Sequence, residues 1–564
     1  MSLKRWIIKE KAPNKFLDQF PEYSKVTLQL LYNRGLKKEE EIEKFLNPDY
    51  ERDLYDPFLM KDILKATKRI KKAIVNNEKI IIYGDYDVDG ITATAVLYKT
   101  LKLLKAKFVD YYIPDRNIEG YGLNNEAINE LIKIGTQLII TVDCGITNIE
   151  EVKKIKKSGI DIIICDHHLV LEELPPADAV INPYRRDEQY PFKDLAGVGV
   201  AFKLCQALLK TSDNRYEPFL KWMIDLVGLG TIADNVPLID ENRIFAKYGL
   251  IVLKKTKNLG LRALMAKAKV NPDNLDTEEV NFYLVPRLNA ASRMDHAYTS
   301  LKLILTDSYQ KAEEIAEGLN KLNNERQKLI EKITQEIKLK ISKQKNKFKI
   351  LVLDNDSWPN SVLGLVAGKL VDELNCPVIL IERGKEESKG SARSIDKFNI
   401  TEALHKCHNL LIKFGGHDQA AGFSLKTENI EIFKNQICQI ANHKIKDADL
   451  IPKEVIEAEI NPSDINWQFY EEIEKFKPFG EDNPEPIFIL KDIKFTELYG
   501  VGKGEKHLKL HFDHQAKEIK AIGFNLGKLI NKTQDKKTVD LVCRLKKNYW
   551  NGRCDLELEI YDLK

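Results

Sequence analysis

The 564-residue sequence has no paired-cysteine pattern: its eight cysteines are scattered singly and no CxxC occurs. That argues against a disulfide framework and against a cysteine zinc site, and it suits a reducing compartment. Long apolar runs are missing as well. None approaches the roughly 20 residues needed to span a bilayer, and the opening MSLKRWIIKEKAPN lacks the apolar centre of a secretory leader. A cytoplasmic location is therefore expected. Nor is there an excess of one charge, since 88 Lys plus Arg stand against 85 Asp plus Glu. This balance excludes a strongly basic protein but leaves room for a local basic groove, because the field depends on where the charges sit.

What is present describes a large globular chain, 43% hydrophobic and 31% charged. At about 100 to 200 residues per domain it should hold three or four. Residues 1–55 read as an N-terminal helical segment with no evident chemistry. From 56 to 305 short β-branched runs alternate with amphipathic helices: KIIIYG, FVDYYIP, QLIITVDCG and IDIIICDHH, each separated by helical pattern. Such alternation predicts βαβ units and a parallel sheet covered on both faces. WMIDLVGLGTIADNVPL reads as an apolar helical run broken at Gly228 and Gly230 and emerging at Asp234.

A basic amphipathic stretch follows, and residues 306–347 predict a long connecting helix. Its basic face is either solvated or a nucleic-acid contact. Residues 348–450 restart an α/β pattern and carry two Gly-rich signatures, GSARS and GGHDQAAG. Residues 451–564 consist of short strand patterns and predict a small barrel of the OB type. Basic residues and the aromatics Tyr549 and Trp550 would suit it to single-stranded nucleic acid; a structural appendage is the alternative.

The chemistry gathers at strand ends. KIIIYG leads into Asp85, Asp87 and Asp89, LIITV into Asp143, and DIIIC into Asp166, His167 and His168. Ligands of open α/β sheets bind at the carboxyl ends of the strands. The three alternating aspartates should point to one side of extended chain and repel one another, which a divalent cation would offset. A calcium loop of the EF-hand type needs a glutamate at its twelfth position, where Val96 stands, and it follows a helix rather than a strand. An aspartyl-phosphate phosphatase would use a strand-terminal DxDG but has no use for the histidine pair. Several Asp with an imidazole favour Mn²⁺ or Mg²⁺ over zinc. Two such ions, roughly 3.5 to 4 Å apart, can serve both the attacking and the leaving oxygen of a phosphoryl displacement.

DYDVDG, VDCG, CDHH and GTIADNVPL in this order, followed by NAASR and GGHDQAAG, resemble the DHH phosphoesterase superfamily with its DHHA1 companion domain. The resemblance implies a parallel-sheet DHH domain joined by a long helix to a smaller α/β DHHA1 domain, plus the C-terminal OB-like barrel. It implies a two-metal exonuclease that degrades single-stranded DNA from 5′ to 3′ in repair and recombination. A phosphodiesterase for short oligoribonucleotides or cyclic dinucleotides, and a binding protein with a degenerate site, are the alternatives. By the same resemblance Asp85, Asp87, Asp89, Asp143, His167 and Asp234 hold the ions, with Asp143 as the bridge. His168 faces the scissile phosphate, and Asp166 orients the histidines. Arg116, Ser391 and Arg393 match phosphate-binding positions. Gly415, Gly416 and His417 would let the DNA backbone approach closely, Arg287, Asn289 and Arg293 would guide the strand, and Tyr121 would stack a base. Tyr83 stands where more distant relatives place a histidine, and Ser292 where many place glycine. A single-strand-binding protein and a helicase are the implied partners.

Overall fold

The alternating runs between residues 80 and 181 fold as strands of one parallel sheet. The computed structural model describes residues 4–116, 118–342, 348–515, 517–550 and 552–564. Its chain forms two compact units: one holds Met1–Lys38, Arg326–Lys475 and Glu485–Lys564, the other Glu39–Glu325 and Phe476–Pro484. Residues 1–55, expected as one helical segment, therefore divide between the units. The short strand β1 (Arg5–Ile8) pairs in parallel with Lys453–Ile456, a partner too distant in sequence for four residues to signal.

In the second unit the strands β2 (Ile80–Gly84), β3 (Val109–Tyr112), β4 (Leu138–Val142), β5 (Asp161–Cys165) and β6 (Ala179–Ile181) lie in the order β3-β2-β4-β5-β6, all parallel. β2 and β4 are buried along their whole length, as near-continuous Ile and Val runs require when helices cover both faces. The register sets the site. Gly84 is level with Val142, Val142 with Cys165, and Cys165 with Ile181. The next residues, Asp85, Asp143, Asp166 and Asn182, thus leave four adjacent strands at the same height.

The apolar run before Asp234 forms a single continuous helix, Glu217–Ala233, so the expected break at its glycines is not there. The glycines serve close packing instead. A Cβ on Gly228 would lie 2.6 Å from the Gly249 Cα, and one on Gly230 would lie 2.3 Å from the Thr92 hydroxyl. Contact with two neighbouring helices offsets the roughly 1 kcal/mol that a helical glycine costs.

Among the described residues, the first unit contains two sheets besides the β1 pair. One has the order β10-β11-β9-β8-β7, built from β7 (Leu351–Asn355), β8 (Val378–Glu382), β9 (Glu387–Arg393), β10 (Leu411–Gly416) and β11 (Ala420–Lys426). Only β7 and β8 run parallel, and the GSARS and GGHDQAAG signatures occupy β9, β10, β11 and the turn between the last two. The C-terminal module is a seven-stranded mixed sheet between Ala458 and Leu563, as expected for an OB-like domain. The side chains of Tyr549 and Trp550 lie outside the described residues. The connecting helix spans Tyr309–Ser342, with residues 343–347 outside the description.

Candidate metal centre

DYDVDG is where β2 turns sharply into the helix Val88–Leu103. Asp85 follows the strand, and Asp87 caps the helix by accepting a hydrogen bond from the Gly90 N–H at 3.1 Å. Asp89 already lies in the first helical turn. The aspartates are therefore not brought together by alternation along extended chain, as their spacing suggests. The helix start divides them between two clusters.

Donor atoms of Asp85, Asp87 and Asp143 lie within 4.8 Å of one another, as do those of Asp89, His167 and Asp234. A third group, Asp143, His167 and His168, joins these two. His167 Nε2 is 3.2 Å from Asp143 Oδ1, 3.7 Å from Asp234 Oδ2 and 3.9 Å from Asp89 Oδ2. Asp143 itself has a left-handed backbone (φ 62°), a conformation uncommon for a residue with a side chain and often found at functional sites.

Two supports escape the sequence reading. Asp89 receives the backbone N–H of Gly197 at 2.6 Å and of Val198 at 2.8 Å, so its carboxylate sits on the N-terminus of the helix Gly197–Leu209. A Cβ on Gly197 would fall 2.7 Å from the Asp143 Cβ, so glycine also leaves room for that aspartate. The small-residue run AGVG is the available signal. Asn182, fully buried, donates to the His168 carbonyl at 2.9 Å; nothing local distinguishes it.

Asp166 holds the histidine pair. Its Oδ1 accepts the N–H of His167 (2.7 Å) and of His168 (3.1 Å) and lies 2.8 Å from His168 Nδ1, while Oδ2 accepts the Ile146 N–H at 2.9 Å. Burial opposes a charge on either partner, yet the mutual hydrogen bond prevails: Asp166 is held down to about 2 and His168 is held up to about 9. His167 behaves differently, because burial lowers its pKa and outweighs the facing carboxylates. Tyr121, expected as a base platform, places its hydroxyl 3.0 Å from His168 Nδ1 and 3.3 Å from the Asp143 carbonyl.

The remaining acids are frustrated. Burial, then the neighbouring Asp87, pushes Asp85 well above the usual carboxylate range. Burial followed by repulsion from adjacent aspartates does the same to Asp89 and Asp143, and burial raises Asp234. Asp85 Oδ1 and His167 Nε2 are buried without a hydrogen-bond partner. Repelling carboxylates, an orphaned carboxylate oxygen and a buried imidazole nitrogen without a hydrogen-bond partner form a donor set that fits divalent cations.

Residues 79–231 match the DHH family N-terminal domain, 345–443 the DHHA1 domain and 456–562 the RecJ OB domain. The chain is 38% identical to the single-stranded-DNA-specific exonuclease RecJ of Bacillus subtilis (strain 168) over 99% of this chain and 70% of that one. The chain belongs to the RecJ family. Its identity to the Escherichia coli (strain K12) RecJ is 32%, over 94% of this chain and 95% of that one. Among solved structures, RecJ from Thermus thermophilus in complex with Mn²⁺ has a TM-score of 0.84 at 28% identity, covering 99% of this chain and 79% of that chain. An exonuclease RecJ bound to manganese has a TM-score of 0.59 at 32% identity, covering 69% and 98%.

In this RecJ-family chain the expected anion contacts lie in both units. Arg116 places its guanidinium 5.0 Å from the centre of the Tyr86 ring, and its charge lowers the pKa of Asp85 against the dominant effect of burial. Burial raises the pKa of Tyr86, and the charges of Arg116 and Arg293 both work against that rise. Arg287 turns to the connecting helix, donating to Asn320 at 3.0 Å and to the Tyr283 carbonyl at 2.7 Å. Asn289 keeps a buried, unpartnered Oδ1, and Ser292 donates to the Asn289 carbonyl at 3.2 Å. In the other unit Ser391 and Arg393 share one face of β9. Both converge on Gly364 in the helix Asn360–Leu374, where an added Cβ would lie 3.0 Å from each side chain. Nothing in the sequence pattern singles out Gly364. Gly415 and Gly416 lie exposed on the edge strand β10, and the adjacent His417 is exposed too.

Proposed function

We propose that this chain is a divalent-cation-dependent exonuclease that removes nucleotides from the 5′ end of single-stranded DNA. The observation that carries the proposal is the set of three acid and imidazole groups joined through Asp143 and His167. Asp85, Asp87 and Asp143 would hold one cation, and Asp89, His167 and Asp234 a second, with Asp143 shared between them. Bound there, Mn²⁺ or Mg²⁺ supplies a Lewis acid that polarises the phosphate and acidifies a water.

The chain's own residues do the rest. Asp166 takes the Nδ1 hydrogen bond of His168, which leaves the His168 Nε2 proton for a phosphate oxygen whose charge grows during attack. Tyr121 positions that imidazole through its hydroxyl. The reaction adds water to phosphorus and breaks the bond to the 3′ oxygen, releasing a nucleoside 5′-monophosphate and leaving a new 5′-phosphate. Arg116, Ser391 and Arg393 are proposed to bind anionic oxygens of the strand, with Arg287, Asn289 and Arg293 guiding it. Gly415, Gly416 and His417 would allow its backbone close approach.

Relatives over nearly the whole chain are named for single-stranded DNA, which supports this substrate over short oligoribonucleotides or cyclic dinucleotides. A single-strand-binding protein and a helicase are proposed partners, in the cytoplasm. No helix among the described residues is long and apolar enough to cross a membrane. The test is degradation of single and double strands labelled at either end, with Mn²⁺. Immediate release of a 5′ label as mononucleotide from single strands is expected, and early release of a 3′ label would overturn the polarity.

A further inference from the structure

The segment Phe476–Pro484 packs with the unit that contains the candidate metal centre, although the chain on either side of it belongs to the other unit. Its backbone is caged by one side chain. Arg243, 1% exposed on the helix Asp240–Leu253, donates to the carbonyls of Phe476 (2.8 Å), Lys477 (2.9 Å) and Pro478 (3.4 Å), and also to that of Phe45 (2.8 Å). Its guanidinium lies 3.9 Å from the centre of the Phe45 ring, and Phe45 in turn meets Phe476. The buried Asn483 closes the loop by donating to the Phe476 and Pro478 carbonyls, both at 2.8 Å. Five fork-shaped donors suit such a cluster of carbonyls better than an ammonium would.

The tip of this loop grips the turn that follows Asp234. Leu238 donates its N–H to the Glu481 carbonyl at 2.9 Å, and Gly480 lies so close that a Cβ there would be 2.6 Å from Leu238 Cδ1. Thr277 holds the Phe479 carbonyl at 2.7 Å. Asn242 also holds this turn, donating to the Pro237 carbonyl at 3.1 Å. Asp85 and Asp143 follow strands and Asp87 and Asp89 open a helix, whereas Asp234 stands at the C-terminal end of its helix, and Asn235 behind it is left-handed (φ 57°). Asp234 keeps its own N–H on the Gly230 carbonyl at 2.9 Å, and the turn that begins directly beyond it is pinned by this loop.

We infer that residues 476–484 are a positioning clamp for Asp234, tuning cation affinity from outside the site. The inference rests on the reading of Asp234 as a ligand. Three variants test it in the full-length protein, with Mn²⁺ affinity measured by calorimetry and thermal melting followed without metal. Gly480→Val pushes on Leu238, Arg243→Lys removes the fork while keeping the charge, and Thr277→Val removes a single bond to the loop. Roughly tenfold weaker Mn²⁺ binding is expected for the first two and about threefold for the third, with turnover at saturating Mn²⁺ close to that of the parent. Lowered melting temperatures with unchanged Mn²⁺ affinity would make the clamp merely structural and overturn the inference. Should Gly480→Val fail to fold, the other two decide. Asp234→Asn separates the two layers of argument: unchanged Mn²⁺ affinity in that variant sinks the ligand reading, whereas a loss there with none in the clamp variants sinks the clamp alone.

Discussion

The ends of β2, β4 and β5 and the face of β9 are both polar surfaces on α/β sheets, yet they are built by opposite rules. At the first, acids are buried together, raise one another's pKa and leave Asp85 Oδ1 without a partner. At the second, Ser391 and Arg393 are only half-buried and gain their room from Gly364. A surface for cations stores repulsion in a dry environment, because the arriving charge must be worth more than water's. The second, proposed as a surface for a polyanion, would need reach and access, for which a screened arginine suffices.

That contrast can be broken most forcefully at its buried end. Asp143→Ala or His167→Ala is expected to lower DNA hydrolysis by about a thousandfold or more while circular dichroism shows the fold retained; near-parental turnover with Mn²⁺ present would end the metal-centre reading. Asp166→Asn keeps the shape but removes the charge that holds His168 up to about 9. A loss of roughly 10- to 100-fold in turnover, with Mn²⁺ affinity reduced less, is expected. Equal losses in both would show that Asp166 serves the cations and not the imidazole.

At the open surface Arg393→Ala should weaken single-strand binding by about tenfold and make the salt dependence shallower by about one counterion, with turnover at saturating DNA little changed. A fall in turnover alone would move Arg393 from binding to chemistry. The smallest effect is on stability. The raised carboxyls of Asp85, Asp89 and Asp143 bind more protons folded than unfolded, so the metal-free protein should be most stable at low pH on their account. It should lose that contribution as pH rises from their ordinary value of 3.8 upward. Mn²⁺ should flatten the decline, and Asp85→Asn should remove part of it. Melting temperatures across pH 5 to 8, with and without Mn²⁺, check the sign.

Sequence pattern makes the catalytic sheet legible because its strands are short β-branched runs and each motif sits where a run ends. It makes the clustering of Asp85, Asp143 and His167 legible for the same reason. What it misses is contact between distant segments. The amides of Gly197 and Val198 reach Asp89 across more than a hundred residues, Asn182 resembles any loop asparagine, and Gly364 shows its purpose only beneath β9. The glycines before Asp234 mislead because a glycine's local tendency to interrupt a helix is visible in sequence, whereas the neighbouring helices that require it are not.

The level ending of β2, β4, β5 and β6 makes chain length a digital variable. Deleting one residue from β4 would draw Asp143 back by about 3.3 Å and turn its side chain to the other face of the sheet. No partial version of the row exists, so variants of this site must arise by exchanging side chains on a fixed backbone. Changes of loop length remain open only beyond the strand ends, where the register no longer counts residues.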